Sequence, residues 1–462
     1  MVRLMLKIYN TLTRSKEIFQ PIAPPKVGFY TCGVTVYDYC HLGHARTYVS
    51  IDMMIRYLRY CGFEVNYVRN ITDIDDKIIN RANDTKQTIQ HLTEHFIAAM
   101  QADFAALQLL IPDHEPRATH YIPQMIALIQ KIIAQGHAYI AQNGDVYFDV
   151  RSFTNYGALS HHDIEQLESG ARVEVSDAKK DPLDFVLWKL AKPQEPFWES
   201  PWGNGRPGWH IECSVMSMDI LGEYFDIHAG GRDLIFPHHE NEIAQSVAGT
   251  QSSFVKLWIH GGFLQIEKEK MSKSLGNFVT IREVLTKHKP EVIRYLLLSS
   301  HYRSPLVYSG ALLTQARQSL TRFYTALRFH PPTTPTFDTD FEQQFKVAMD
   351  DDFNTPIALS HLFELAHEIE RLRPTDPMLA ASHSALLKNL GGVLGILQVD
   401  PEVYFKADSN IDAKKIEQLI EARTQARRAK NWSEADRIRK ELTDLSIVIE
   451  DGPQGTTWRI VS

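Results

Sequence analysis

The sequence predicts an α/β chain in which a parallel-sheet domain with an insertion precedes an α-helical bundle and a small C-terminal α+β domain. Three observations predict this order. Strand-like and helix-like segments alternate over about the first hundred residues and again from residue 224. A hairpin signal and a loop rich in Pro, Gly and Trp separate these two regions. Beyond residue 305, apolar residues recur with the period of a helix.

The length and composition are those of a globular chain with several domains. At roughly 150 residues per domain, 462 residues correspond to about three domains. Apolar residues make up 44% and charged residues 23%, which excludes a disordered or collagen-like chain. With 49 Lys and Arg against 56 Asp and Glu, the formal charge is −7, so a polyanion would have to meet local basic patches. Since no membrane helix or secretory signal is recognisable, we expect a cytoplasmic protein with no membrane partner.

The N-terminal alternation forms a βαβ unit. Residues 27–31 are typical of a short buried strand, Cys32-Gly33 of a turn, residues 41–60 of a helix and residues 65–68 of a second strand. Strand, helix and strand in this order indicate a Rossmann-like parallel sheet, whose ligands bind at the carboxyl ends of the strands.

The later elements complete the predicted architecture. Asn143-Gly144 lies between two short apolar runs and predicts a hairpin, and residues 192–208 predict a long surface loop. Amphipathic helices, the first over residues 313–327, predict a bundle of roughly three to five helices. One more charged helix and a short strand at residues 447–449 follow. The predicted boundaries are 1–305 for the first domain, with its insertion at about 112–205 and a further loop region at about 260–305; 306–405 for the bundle; and 406–462 for the C-terminal domain.

Two histidines, His41 and His44, lie three residues apart where the first helix begins. The N–H groups and dipole of a helix N-terminus favour a bound anion, and Gly43 lets a ligand approach the backbone closely. The segment is therefore a candidate for binding a phosphate chain through two imidazoles. A metal pair and two capping or core histidines are the alternatives.

Residues 270–274 read Lys-Met-Ser-Lys-Ser. Lys270 and Lys273, with the neighbouring hydroxyls, predict a loop that closes on a triphosphate and meets the charge that develops on a pyrophosphate leaving group. A solvated basic loop is the alternative. No P-loop sequence is present, and Gly203–Gly208 matches a dinucleotide-binding fingerprint only with Pro207 inside it, so we discard that match.

The four cysteines are Cys32, Cys40, Cys61 and Cys213, and no disulfide is expected in a chain of this size without a signal. Cys32 comes at the end of the first predicted strand. His238 and Glu242 have the i, i+4 spacing that points both side chains the same way from a helix. Together with Cys213 they could form a tetrahedral zinc site, in which His239 could replace His238, although the spacing is not that of a zinc knuckle.

The pair of segments HLGH and KMSKS resembles the paired signatures of class I aminoacyl-tRNA synthetases. Five further stretches are similar to the cysteinyl-tRNA synthetase family, and the resemblance covers essentially the whole chain. These stretches are Tyr30–Asp38, Arg69–Lys77, Pro207–Cys213, Phe236–Glu242 and the tail Glu450–Trp458.

The resemblance implies a cysteine–tRNA ligase that activates L-cysteine with Mg-ATP and transfers it from the adenylate to the 3′ end of tRNA(Cys). It implies one zinc ion per chain that binds the thiolate of the substrate, and Mg²⁺ with the ATP. The implied zinc ligands are Cys32, Cys213, His238 and Glu242; His41, His44, Lys270 and Lys273 would stabilise the phosphates; and Gly33, Thr72, Trp209 and Asp233 would line the amino-acid pocket. For Trp209 a core aromatic remains the alternative, and for Asp73, Asp75 and Asp76 we prefer a solvated, capped helix start to a second metal site.

The implied RNA partner would bind the bundle and the tail. Between residues 411 and 443, nine Lys or Arg stand against six Asp or Glu. Arg423, Arg427, Arg428 and Trp432 could provide phosphate contacts and a stacking surface, although a solvated face has the same pattern. We expect a monomer.

Three other functions compete with this one. A ligase of the same superfamily that joins cysteine to an amino sugar would lack the C-terminal domain. A non-catalytic tRNA-binding paralogue would be expected to lose the lysines of the KMSKS segment. A zinc hydrolase would need an open metal position beside a base, and no such motif is present.

Overall fold

The computed structural model describes residues 5–162, 178–266, 269–270, 278–331, 333–337, 339–406, 413–445, 447–452 and 455–460. The chain forms two compact units. The first contains Met1–Arg317, Asp338–Leu362 and Val393–Ile396, and the second contains Gln318–Phe337, Phe363–Gly392 and Leu397–Ser462. No helix within the described ranges has the length and apolar character that a membrane crossing requires.

The described strands are, in chain order, β1 (Lys7–Asn10), β2 (Ser15–Ile18), β3 (Lys26–Thr35), β4 (Glu64–Thr72), β5 (Ala138–Ile140), β6 (Val146–Phe148), β7 (Phe185–Leu190), β8 (Gly205–Pro207), β9 (Phe225–Gly231), β10 (Val255–Gly261), β11 (Leu264–Ile266), β12 (Glu269–Lys270), β13 (Leu306–Tyr308), β14 (Ile447–Gly452) and β15 (Gly455–Ile460).

The described α-helices are α1 (Leu42–Tyr60), α2 (Asp76–Thr85), α3 (Ile89–Ala106), α4 (Ile122–Ala134), α5 (Trp209–Leu221), α6 (Glu240–Thr250), α7 (Ile281–Leu285), α8 (Pro290–Leu298), α9 (Gly310–Leu327), α10 (Asp340–Asp350), α11 (Thr355–Leu372), α12 (Pro377–Val393), α13 (Pro401–Lys406), α14 (Ala413–Arg428) and α15 (Trp432–Asp444).

The first unit is built on a parallel sheet with the strand order β10-β9-β3-β4. Phe29 pairs with Ile227 on one side and with Tyr67 on the other, so β3 is central. Helix α1 connects β3 to β4 as the crossover that two adjacent parallel strands require. The predicted Rossmann-like sheet is therefore confirmed, and its strand ends bring distant segments of the sequence to one edge.

The predicted turn at Cys32-Gly33 is wrong. Strand β3 continues to Thr35, and its register with β4 shifts between Thr31 and Val34. A Cβ at Gly33 would overlap the carbonyl oxygen of Asn70, and the Gly33 N–H donates to the Asn70 side-chain oxygen at 2.7 Å. Glycine therefore allows a close approach of two strands within a bulge, where the local sequence suggested a change of direction.

The insertion contains an antiparallel sheet with the strand order β5-β6-β7-β8. The predicted hairpin is confirmed, since β5 pairs with β6 and Gly144 has a φ of 87°. The predicted surface loop at residues 192–208 is wrong at its end, because Gly205–Pro207 forms β8 against the strand that holds Trp188. One hydrophobic cluster joins this sheet to the parallel sheet, through residues that include Tyr30, Val68, Ile129, Phe148, Trp188, Ile211 and Trp258.

The C-terminal residues fold differently from the single helix that the sequence predicted. Two helices, α14 and α15, precede the antiparallel β14–β15 hairpin. Lys430 has a φ of 58°, and the Asn431 side chain accepts a hydrogen bond from the Glu434 N–H as the cap of α15. A left-handed residue followed by a good N-cap breaks the continuous charged pattern into two helices.

Candidate active site

A cavity of about 340 Å³ opens at the carboxyl ends of the parallel strands. Residues from β3, the start of α1, the start of α5 and the segments after β9 and β10 line it. The predicted site residues among them are Cys32, Gly33, His41, His44, Trp209 and Asp233. The cavity thus brings together segments that are more than 200 residues apart, as expected at the carboxyl edge of a parallel sheet.

Four of the predicted metal ligands form one buried group. Single donor atoms of Cys32, Cys213, His238 and Glu242 all lie within 4.8 Å of one another. The Cys32 and Cys213 sulfur atoms are 3.7 Å apart, and His238 Nε2 lies 3.0 Å from Glu242 Oε1. The end of β3, the first turns of α5 and α6 and the cis Phe236–Pro237 segment hold these side chains.

A second group of possible ligands overlaps the first. Cys32 and Glu242 also meet the 4.8 Å condition with His228 and His239. His239 Nε2 lies 3.2 Å from the Cys32 sulfur, and His228 Nε2 lies 2.9 Å from Glu242 Oε2. The first group contains two sulfur donors and the second only one, so the first has the softer donor set, which zinc favours.

The electrostatics favour the deprotonated form of two members of the first group, Glu242 and Cys213. The other two are shifted the other way: burial raises the pKa of the Cys32 thiol, and for His238 burial lowers the pKa but Glu242 and Cys213 raise it to about 10. Burial raises the pKa of Glu242, but the two imidazoles of His228 and His238 more than offset it and hold the pKa at about 2. Burial likewise raises the pKa of the Cys213 thiol, while hydrogen bonds from Cys32 and His238 lower it below its ordinary value. A carboxylate and a thiolate at this position are ready to bind a cation.

His41 and His44 cap helix α1 in a reciprocal arrangement. His41 Nδ1 accepts from the His44 N–H, and His44 Nδ1 accepts from the His41 N–H, both at 3.2 Å. The rings stack with centroids 3.7 Å apart. Because Nδ1 accepts in each ring, each neutral imidazole carries its proton on Nε2. Both histidines therefore cap the helix, which was one of the alternatives for this segment. The same hydrogen bonds leave each ring in the tautomer whose Nε2–H can donate to an anion.

The segment that follows the KMSKS sequence contacts the His41 segment. Leu42 N–H donates to the Val279 carbonyl at 3.0 Å, Ile281 N–H donates to the Cys40 carbonyl at 2.9 Å, and the Phe278 ring meets His41 edge-on at 5.0 Å. Lys270 is the last residue of β12, and Lys273 lies outside the described residues. The described residues 278–281 therefore lie beside the His41 segment, although over 200 residues separate the two in the sequence.

The predicted amino-acid pocket is assembled in part. The Trp209 ring lies 4.2 Å from the His238 ring, and Asp233 follows β9 at the cavity wall. Thr72 is not among the described residues that line the cavity; its hydroxyl donates to the buried Glu212 carboxyl at 2.8 Å. Burial raises the pKa of Glu212 well above its usual range. Thr72 thus contacts a buried acid that sequence reasoning missed.

Sequence reasoning also missed three buried histidines beside the ligand groups. His239 Nδ1 lies 2.7 Å from His260 Nε2, and His210 Nδ1 lies 2.9 Å from His238 Nδ1. His228 lies within β9 and stacks on Trp258 at 4.5 Å. The sequence offered a signal for two of them: His228 and His260 each lie within an apolar segment that forms a strand. Such a position is unusual for histidine, which is usually only partly buried in globular proteins.

The acidic cluster at the start of α2 agrees only partly with the preferred interpretation. Asp75 caps the helix by accepting from the Lys77 N–H at 2.7 Å, and Asp76 forms ion pairs with Lys189 and Arg206. Asp73 is buried and accepts from the Thr119 N–H at 2.9 Å. The cluster is a helix start, as expected, but Asp73 is not solvated.

The predicted RNA-binding residues lie in the second unit. The side chains of Arg427, Arg428 and Trp432 are exposed, with Trp432 at 60%. Arg423 differs, because only 7% of it is exposed. It shares the buried face of α14 with Ile420, so it cannot present its guanidinium as the other two arginines do.

Comparison with known proteins agrees with this architecture. Residues 18–318 match the model of the tRNA synthetases class I (C) catalytic domain, residues 344–398 a DALR domain, and residues 413–459 a cysteinyl-tRNA ligase anticodon binding domain. Among solved structures, the Mycobacterium tuberculosis methionyl-tRNA synthetase with methionyl-adenylate has a TM-score of 0.56 at 15% identity, over 86% of this chain and 94% of that one. An Agrobacterium radiobacter LeuRS complex has a TM-score of 0.58 at 11% identity, over 83% and 87%.

Relatives with a curated function match over the full length. The cysteine–tRNA ligase of Methylococcus capsulatus is 58% identical over 98% of this chain and 100% of its own length. Those of Haemophilus influenzae and Pseudomonas aeruginosa are both 57% identical, over 98% and 99% of this chain and 100% of their own lengths. With identity of this extent and the three domain matches in order, the chain belongs to the cysteine–tRNA ligase family of class I aminoacyl-tRNA synthetases.

Proposed function

We propose that this chain activates L-cysteine with Mg-ATP and transfers it to the 3′ end of tRNA(Cys), and that a bound zinc ion selects the amino acid by its thiol. The observation that carries the proposal is the buried Cys32–Cys213–His238–Glu242 group beside a cavity that His41 and His44 also line. The cavity therefore offers an amino-acid site and a phosphate site within one reaction volume. The RNA enters the proposal through the family and its anticodon binding domain.

The donor set suits zinc. Two sulfurs, an imidazole nitrogen and a carboxylate oxygen are donors that zinc takes in proteins, and all four residues are buried. When bound, zinc supplies a Lewis acid that strongly favours a thiolate over a hydroxyl, which would distinguish cysteine from serine. A site that demands one functional group can discriminate by about 10⁴ or more, so no editing site is required.

The activation step needs no nucleophilic side chain. The cysteine carboxylate attacks the α-phosphate, and pyrophosphate leaves. The Nε2–H groups of His41 and His44 and the N-terminus of α1 would stabilise the phosphates, with Lys270 and Lys273 acting on the departing pyrophosphate. Asp233 would bind the α-ammonium group. Trp209 and the bulge at Gly33 would form walls of the amino-acid pocket. Positioning and electrostatics then supply the rate.

The remaining parts of the chain are assigned to the RNA. We place the catalytic domain at residues 1–305, with the connective insertion at about 112–205, a tRNA-binding bundle at 306–405 and an anticodon-recognition domain at 406–462. We propose a monomer that acts in the cytoplasm. The competing amino-sugar ligase is disfavoured because residues 413–459 match an anticodon binding domain.

The test is ATP–pyrophosphate exchange with the purified full-length chain. We expect exchange with cysteine in the absence of tRNA, and only background exchange with serine. The same protein should attach cysteine to tRNA(Cys). Exchange that does not depend on cysteine would contradict the proposal. So would transfer of cysteine to an amino sugar and not to tRNA.

Reversing the exposed charge of the C-terminal domain should weaken tRNA binding alone. In the double variant Arg427→Glu/Arg428→Glu, we expect the KM for tRNA to rise about tenfold, because two phosphate contacts become repulsive. Cysteine-dependent pyrophosphate exchange should remain unchanged, since it needs no tRNA. Steady-state aminoacylation measured beside exchange checks this, and an unchanged KM would remove these residues from the RNA surface.

A further inference from the structure

A buried arginine follows the HLGH segment in helix α1. Arg46 is 1% exposed, and none of the described carboxylates pairs with it. Its guanidinium donates to backbone carbonyls in the last turn of α8 and in the loop that joins α8 to β13. The acceptors are Leu297, Ser300 at 3.3 Å, His301 at 2.7 Å and Ser304 at 3.3 Å. A charge buried against carbonyl dipoles alone is costly, so its contribution lies in fixing these four carbonyls relative to α1.

A buried carboxylate bonds to side chains of the same segment. Asp352 is fully buried and accepts from the Tyr302 hydroxyl at 2.7 Å and from Arg303 Nε at 2.7 Å. It also accepts from the Tyr9 N–H at 2.9 Å. Its φ of 62° lies in the left-handed region, which is unfavourable for a residue with a side chain. Two buried charges of opposite sign therefore act on one short segment, which we call the 297–304 segment.

The 297–304 segment supports the strands from which the KMSKS sequence continues. Gly262 N–H donates to the Tyr302 carbonyl at 2.7 Å, and a Cβ at Gly262 would overlap the Ser304 carbonyl. Immediately afterwards β13 pairs with β11, and β11 pairs with β12, so that Gln265 lies opposite Lys270. Gly261, Gly262 and Leu264 themselves line the cavity.

We propose that Arg46 and Asp352 are positioning residues for ATP: by clamping the 297–304 segment, they set the distance between the helix that carries His41 and His44 and the β11–β12 hairpin that carries Lys270. Neither residue is among the described residues that line the cavity. This inference rests on the proposed function. It predicts that loosening the clamp disturbs the binding of the triphosphate and leaves in place the amino-acid pocket, which is formed by β3, the segment after β9, α5 and α6.

The test compares Arg46→Lys with Arg59→Lys in the full-length enzyme. Lysine keeps the charge at position 46 but cannot bond to four carbonyls at once. We expect the KM for ATP in pyrophosphate exchange, and the Kd for Mg-ATP measured by calorimetry, to rise about tenfold, with the KM for cysteine within about twofold of the parent value. Arg59 is the matched control, because it lies on the same helix and its guanidinium bonds to Asp113 at 3.0 Å and to the Val65 carbonyl at 3.2 Å, neither of which belongs to the 297–304 segment.

Tyr302→Phe is a second, milder variant, and it tests the positioning role if Arg46→Lys does not fold. It removes one hydrogen bond to Asp352 and should raise the KM for ATP about threefold. Equal changes in the KM for ATP and the KM for cysteine would show a merely structural role and overturn the proposal. So would a smaller fraction of active enzyme with both KM values unchanged. Absence of cysteine-dependent exchange in the parent enzyme would instead overturn the proposed function, and the Kd for Mg-ATP would still test the clamp.

Discussion

Cys213→Ser is expected to abolish cysteine-dependent ATP–pyrophosphate exchange and to reduce bound zinc from about one ion per chain to well below one. Cys213 lies 3.7 Å from Cys32 in the buried donor group. A serine hydroxyl remains protonated at neutral pH and is a poor zinc ligand. Removing a residue that only supports a ligand typically costs 10–100-fold in metal affinity or activity, so loss of a ligand should cost about 100-fold or more. Zinc analysis and exchange assays on the same preparation measure both effects.

Cys61→Ser is the matched control for this variant. Cys61 caps the C-terminal end of α1 and belongs to neither of the described groups that could hold a metal. Its zinc content and exchange rate should equal those of the parent. If Cys213→Ser retained a full complement of zinc and full exchange, the two-sulfur group would be excluded, and the group of Cys32, His228, His239 and Glu242 would have to be considered.

His41→Asn should lower the exchange rate about 100-fold, the cost of removing one donor from a developing negative charge. Asparagine is a good N-cap, so its side-chain oxygen can still accept from the His44 N–H, and helix α1 should keep its start. What the variant loses is the imidazole and its Nε2 proton. Exchange kinetics and a thermal melt, performed together, separate the two contributions of this residue.

The capping role has its own control. His41→Ala removes both the cap and the imidazole and should lose a further ~1 kcal/mol of stability relative to His41→Asn. If His41→Asn kept the parental exchange rate while His41→Ala lost it, His41 would be a capping residue only, and the phosphate-binding role would be incorrect.

Periodicity and spacing predicted much of the fold, because the relevant signals are local. The βαβ unit at the N-terminus and the hairpin at Asn143-Gly144 depend on residues within a few positions of each other. The bulge at Gly33 could not be predicted in this way, since its cause is the Asn70 carbonyl on the neighbouring strand. The same holds for β8, which exists only because β7 lies beside it.

The site was predictable in its chemistry but not in its arrangement. Spacing suggested Cys32, Cys213, His238 and Glu242 only weakly, and family resemblance was needed to group them. The surrounding histidines His228 and His260 come from two different strands, so the sequence could mark each as unusual within an apolar strand but could not show that they lie beside the ligand groups. Arg46 was likewise hidden, because nothing in an α-helical sequence shows that an arginine will be buried against carbonyls of a segment about 250 residues away.

The absorption spectrum of the cobalt-substituted protein tests most directly the claim that a metal selects the substrate through its thiol. With Co²⁺ in place of zinc, the cysteine ligands should give sulfur-to-cobalt charge-transfer absorption. Adding L-cysteine should increase this absorption by the contribution of one more thiolate, and adding L-serine should leave it unchanged. An identical response to both amino acids, or none to cysteine at saturating concentration, would contradict the account.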